Sequence, residues 1–437
     1  MTAPGRADRV ELPIGRRVAR LRTRLGMSQQ VFADRMGRSV SWVDKVERGV
    51  RRLDRLSVIE AVAATLGVTP EVLLDRDDTR EPVAGVGVAV ERVRAALVCY
   101  DPAGTARDAA SPAGADLVKR VGYGWAAYRH AQYPQVLGML PDLLTDARHA
   151  RGATGSGPAA GPLARAYRLT AQVLVKLGEM ELAWLAADRA ISTAADPRGA
   201  ALAVVPLAQT LRALDRGRLA MSVTITTAHR LCPAPSDGSL PADPALVGTL
   251  LVQAALAAAD CGDVSAAHEL VARAGDVAHA EQPGHDSRAA GIAHAAQPGH
   301  DSHALGVTQA EQPGRGTGDD ELVFGIDVVH LACALVAARL GDNEAAIAAH
   351  LRVTTGGAWS RLPAEHRAAH LIDISRAYLN GGDHRAAGHA LVTADRVAPA
   401  ETRLRPAARA ALTAVLNAGP PRADVAGLAA TVGLARP

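Results

Sequence analysis

At 437 residues the chain is too long for a single hydrophobic core, so two or more domains are expected. Hydrophobic residues at 48% against aromatics at 3% suit globular helices packed closely on Ala, Leu and Val, and no apolar run is long enough to span a bilayer. Four scattered cysteines (Cys99, Cys232, Cys261, Cys333) lack CxxC spacing, which argues against a disulfide framework or zinc site and predicts small buried apolar residues.

The net charge of +3 is unevenly placed, because residues 1–55 carry 14 basic and 6 acidic side chains, leaving −5 for the remainder. A basic module on a mildly acidic body fits an electrostatic footprint for nucleic acid, as it would a solvated charged surface. Lys45, Lys119 and Lys176 are the only lysines, and the arginine excess reads as high-GC bacterial coding bias, not as a binding signal.

Residues 1–12 are polar. A first helix is predicted from Ile14 to Leu25, with Ile14, Val18, Leu21 and Leu25 on one stripe. Ser28 stands where an N-cap belongs, Phe32, Ala33 and Met36 recur at helical spacing, and Gly37 ends that second helix. Ser39 caps a third helix with Val43 and Val46 inward and Val40, Ser41, Asp44 and Lys45 outward, closed by Gly49. A helix this short is not stable alone, so neighbours must hold it. The arginine-rich segment 50–54 reads as a loop, residues 56–66 as a fourth helix, and a short fifth helix begins near Pro70.

The ordered landmarks Leu21-Arg22, Gly26 to Gln29, Phe32-Ala33, Met36-Gly37, Val43, Val46 to Gly49 and Leu66 to Val68 resemble the lambda-repressor/Cro-like (XRE) family of helix-turn-helix domains. That resemblance implies an all-α, five-helix DNA-binding domain over residues 1–74 whose third helix probes the major groove. It also assigns roles. Val40, Ser41 and Lys45 match base-reading positions, with Ser39 and Asp44 nearby. Gln29 matches a glutamine that holds a phosphate and braces the recognition helix, its backbone N–H adding to the contact, and Arg38, Arg48, Arg51 and Arg52 suit phosphate contacts. Arg22 and Glu47 match a structural ion pair. Trp42 departs from the family; it could pack on a sugar-phosphate, a partner subunit or the core edge. Asp44 repels phosphate unless paired with Lys45 or Arg48. Modules of this kind work in pairs, so a homodimer on an inverted-repeat operator of double-stranded DNA is expected.

Residues 75–89 read as a linker, and residues 90–437 as helical repeats. Aligning on Gly178, Gly217, Gly262, Gly341 and Gly382 gives five units. Small residues recur seven before the glycine (Ala171, Thr210, Ala255, Ala334, Ser375) and five after (Ala183, Ser222, Ala267, Ala346, Ala387). A further hairpin is expected over 114–149, turning near Tyr133-Pro134, and a terminal pair over 401–432. The pattern resembles degenerate tetratricopeptide (TPR) repeats, implying a TPR-like α-solenoid. By register Arg165, Arg168, Gln172 and Arg376 would face its groove and suit a peptide carboxylate or small anionic effector. The tandem copies around Gln282, Gln297 and Gln312 make residues 279–320 a low-complexity insertion, read as disordered, and residues 151–162 a flexible loop.

Enzymatic readings find less support. His366 and His370 are four apart on a helix, but Arg367 stands where a zinc-protease glutamate would be, and no phosphate-binding loop or serine elbow occurs. The reading is a non-enzymatic, cofactor-free transcription regulator that is cytoplasmic and nucleoid-associated. The alternative is a TPR scaffold with secondary DNA binding.

Overall fold

The computed structural model describes residues 14–24, 27–51, 53, 56–66, 83–99, 114–154, 160–232, 243–280, 322–357 and 359–434. These residues form twenty α-helices and one short 3-10 turn, with no strand among them. No helix among them is long and apolar enough to cross a membrane. The chain divides into two compact units, residues 1–85 and 86–437.

In the first unit the described helices are α1 (Ile14–Arg24), α2 (Gln29–Arg35), α3 (Val40–Glu47) and α4 (Leu56–Leu66). Val18, Phe32, Val43, Val46, Ile59 and Val62 close its core. Ser28 and Ser39 cap α2 and α3 by accepting from the Val31 and Trp42 backbone N–H groups at 3.1 and 3.2 Å. Gly37 takes the left-handed conformation (φ +59°) that reverses the chain between them. The helix expected near Pro70 lies outside the described residues.

Helix α5 (Val83–Val98) starts inside the segment read as linker. The glycines at 85 and 87 hid a stripe of Val86, Val90, Val93 and Leu97, which packs into the second unit's core. Six hairpins follow: α6 (Gly114–Arg129) with α7 (Tyr133–Thr154), α8 (Ala160–Leu177) with α9 (Met180–Thr193), and α10 (Pro197–Ala213) with α11 (Gly217–Leu231). Then come α12 (Pro244–Asp260) with α13 (Val264–Ala280), α14 (Ile326–Arg339) with α15 (Asn343–Thr354), and α16 (Ala364–Asn380) with α17 (His384–Val397). The chain ends with α18 (Pro399–Leu404), α19 (Pro406–Ala418) and α20 (Ala423–Thr431). Residues 151–154 and 160–162, read as loop, extend α7 and α8. The tandem copies at 281–320 lie outside the described residues.

All six hairpins turn by one device, a backbone N–H reaching back five residues, as from Glu179 to Leu174 O and from Asp342 to Ala337 O, both at 3.0 Å. Gly178, Gly262, Gly341 and Gly382 hold the left-handed turn position. In two hairpins it falls to Ala131 (φ 55°) and Asp215 (φ 57°), so the alignment on Gly217 slips by two residues. Ala220 accordingly is buried, and Ser222 and His229 are exposed. Gly217 instead opens α11, where a Cβ would stand 2.6 Å from Cys261 Sγ. Cys99 and Cys261 are exposed, against the expectation of buried thiols, because both sit just past a helix end.

The first helices of the hairpins pack in sequence, α6 on α8, α8 on α10, and so to α16. The series then closes on itself, with α16 returning to α6 and α18 to α8. One buried cluster accordingly joins α5–α9 with α16–α20, and a second fills the middle hairpins.

Candidate nucleic-acid interface

Helix α3 is short, and its footing explains how it holds its shape. Val43 and Val46 face the core. Glu47, at its end, is buried and accepts from Arg22 Nε at 2.6 Å and Nη2 at 3.0 Å. Arg22 also donates to Met27 O at 2.6 Å, joining α1 to the approach to α2. The side-chain hydrogen bond to Glu47 raises the Arg22 pKa above its ordinary value. Gly15 lets α1 cross α3 closely, since a Cβ there would fall 1.9 Å from Val46 O.

Of the two roles expected of Gln29, the side chain takes the bracing one. Its amide donates to Glu47 Oε2 at 2.8 Å, so the side chain braces α1, α2 and α3 and is not turned outward. Only its backbone N–H, at the first position of α2, keeps a geometry suited to phosphate.

Ser41, Lys45, Arg48, Arg38 and Arg51 are exposed. Ser39 is exposed too, with its hydroxyl engaged in capping. Asp44 is ion-paired with Arg48 one turn on, which offsets its repulsion toward phosphate. Val40 and Trp42 are half-buried against the core, so Val40 does not stand free as expected. Arg38 lies over the Trp42 ring at 5.8 Å from its centroid. Arg52 lies outside the described residues. The outward surface of α3 is thus a small polar and basic face on a rigid base.

The residues assigned to an effector groove divide. The Arg168 guanidinium is buried and lies 4.5 Å from the Trp125 ring centroid. Burial, reinforced by the charges of Arg165 and Arg198, lowers its pKa to about 9. Arg165 is half-buried, and burial lowers its pKa as well. Gln172 accepts from Tyr128 Oη at 3.2 Å. Arg376 is exposed on α16, apart from these three on α8. His366 and His370 also diverge: His366 Nδ1 meets Glu365 at 2.9 Å, whereas His370 Nε2 faces His350 Nδ1 at 3.0 Å.

Sequence reasoning missed a buried polar cluster. Lys176 is ion-paired with both Glu365 and Glu401 inside the second unit. Lysine is scarce in this chain, and a lone buried lysine was the available signal.

Residues 13–76 match the family model of a helix-turn-helix domain. No curated protein matches the chain. Among solved structures, the crystal structure of Bacillus thuringiensis PlcR in complex with the peptide PapR7 and DNA is similar at 13% identity and a TM-score of 0.31, covering 64% of this chain and 99% of that one. The first unit is accordingly built as a helix-turn-helix domain, with α2, the Gly37 turn and α3 as its motif.

Proposed function

We propose that the chain is a sequence-specific DNA-binding transcription regulator. The observation that carries the reading is an exposed Ser41–Lys45 face on a short helix held from behind by Arg22, Gln29 and Glu47. In this reading Lys45 donates to guanine O6 or N7, and Ser41 pairs with base edges beside it. Arg38, Arg48, Arg51 and Arg52, with the Gln29 backbone N–H, take phosphates. Two copies bind an inverted repeat with half-sites roughly 34 Å apart. The helical hairpins dimerise the chain or sense a peptide or small anionic effector.

The test is selection of duplexes from a random library by the full-length protein, followed by affinity against salt. Enrichment of an inverted repeat, lost in Lys45→Ala, supports the reading, and the salt slope then counts phosphate contacts at about 0.9 each. Failure to enrich any sequence, with cell extract added as well as without, favours a protein-binding scaffold.

A further inference from the structure

The turn between α8 and α9 is tied in three directions. Lys176 pairs with Glu365 at the head of α16 and, at 2.9 Å, with Glu401 in α18. Gly178 lies against Pro406 at the head of α19, where a Cβ would come 2.8 Å from Pro406 Cγ. Glu179 reaches Arg94 of α5 at 3.6 Å.

Glu401 is itself fully buried. It accepts from Tyr133 Oη of α7, and Arg405 joins it at 3.5 Å to Asp373 at 3.0 Å. Burial alone would lower the Lys176 pKa, but Glu365 and Glu401 outweigh it and raise the pKa above its ordinary value. The closure of the hairpin series therefore carries one buried lysine shared by two carboxylates on top of its apolar packing. Separating them leaves buried charge less well paired, which penalises partly closed arrangements.

Helix α5 meets the same corner through the Arg94–Glu179 pair. Its buried side chains are few (Val90, Val93, Leu97), and Val88 and Val98 are exposed. Its carboxyl end is held by Arg148, donating to Ala96 O and Cys99 O at 2.8 and 2.7 Å, and by Arg189 of α9, donating to Leu97 O. A helix with so little buried surface opens easily once its anchors loosen. It is also the first helix of the second unit, where the chain arrives from the helix-turn-helix unit.

We propose that residues 176–179 form a latch: closure of the C-terminal helices on Lys176 holds α5 in place, and release of that closure frees α5. The latch gives the repeat unit two states distinguished at the helix that continues from the N-terminal unit. The inference does not depend on the DNA-binding reading.

The test is amide hydrogen exchange on the full chain, comparing Glu401→Gln and Tyr133→Phe with Leu250→Ala, which weakens the middle hairpins away from the corner. The latch predicts exchange in α5 faster by about tenfold in Glu401→Gln and by less in Tyr133→Phe, with α12 and α13 unchanged. Faster exchange confined to α16–α18 would overturn it. So would Leu250→Ala accelerating α5 as much as Glu401→Gln, since that marks general loosening. Should Glu401→Gln not fold, Tyr133→Phe, which removes one hydroxyl, decides by the same criteria.

Discussion

Both units bury a carboxylate shared among several donors, but over very different lengths of chain. Glu47 collects Arg22 and Gln29 from 25 and 18 residues away, on the two helices before its own. Glu401 collects Tyr133 from 268 residues away, together with Lys176 and Arg405. The first arrangement stiffens a short probe helix. The second brings the two ends of a hairpin series together, where a linear solenoid would leave them apart. The same chemistry thus serves local rigidity in one unit and long-range closure in the other.

The comparison breaks most visibly when one partner is removed. Lys176→Met takes from Glu365 and Glu401 the cation they share, and Glu47→Ala strands Arg22 and Gln29; each is expected to cost about 3–5 kcal/mol. Their reach should differ. Hydrogen exchange should quicken in α5, α8 and α16–α18 for the first variant and in α1–α4 alone for the second. Equal spread of the two effects would dissolve the distinction between local and long-range clusters.

Acid should act on the second unit through identified groups. His350 and His370 are buried against each other, and burial lowers their pKa values to about 4 and about 3. Below the ordinary histidine value of 6.5 the unfolded chain takes up protons that this pair refuses, so stability falls as pH drops from 6.5 toward 4. Burial would raise the Glu365 carboxyl, but Lys176 and His366 hold it far below the ordinary 4.5. Its contribution is present above pH 4.5 and fades in stronger acid. Thermal midpoints from pH 7 to 4 should fall in the wild type and flatten in His350→Phe/His370→Leu. An unchanged slope in that variant would assign the acid sensitivity elsewhere.

Close approaches give the next, smaller effect. A Cβ at Gly15 meets the Val46 backbone oxygen at 1.9 Å, whereas at Gly248 it meets the Phe324 ring at 1.9 Å. A ring can swing and a helix backbone cannot, so Gly15→Ala should cost about 1–3 kcal/mol and Gly248→Ala less. Chemical denaturation of the two full-length variants compares them directly.

Much of the first unit was legible because its constraints are local. Ser28, Gly37, Ser39, Val43 and Val46 each act within one or two turns, so spacing alone located them. Gln29 was expected to brace the third helix, but its acceptor, Glu47, lies on another helix and spacing alone did not identify it. In the repeats, small residues beside the turns marked the hairpins correctly wherever glycine held the turn. The cluster at Lys176 joins residues 189 and 225 positions apart, and no local spacing encodes that meeting. The His350–His370 pair escaped because the four-residue spacing on α16 paired His370 with His366, whereas its partner lies on the preceding helix.

The smallest effect tests how the hairpins turn. Gly178, Gly262, Gly341 and Gly382 sit left-handed with no strain, while Asp215 and Ala131 hold the same conformation with a side chain. Aspartate tolerates this region better than alanine, because its short polar side chain can hydrogen-bond locally. Replacing either by glycine relieves backbone strain but adds freedom to the unfolded chain, and the two partly cancel. Asp215→Gly should therefore stabilise by less than about 1 kcal/mol, and Ala131→Gly by somewhat more. Thermal midpoints of the two variants should rise in that order. A fall in Asp215→Gly would show that its carboxylate stabilises the turn beyond its backbone, and would separate this hairpin from the four that glycine closes.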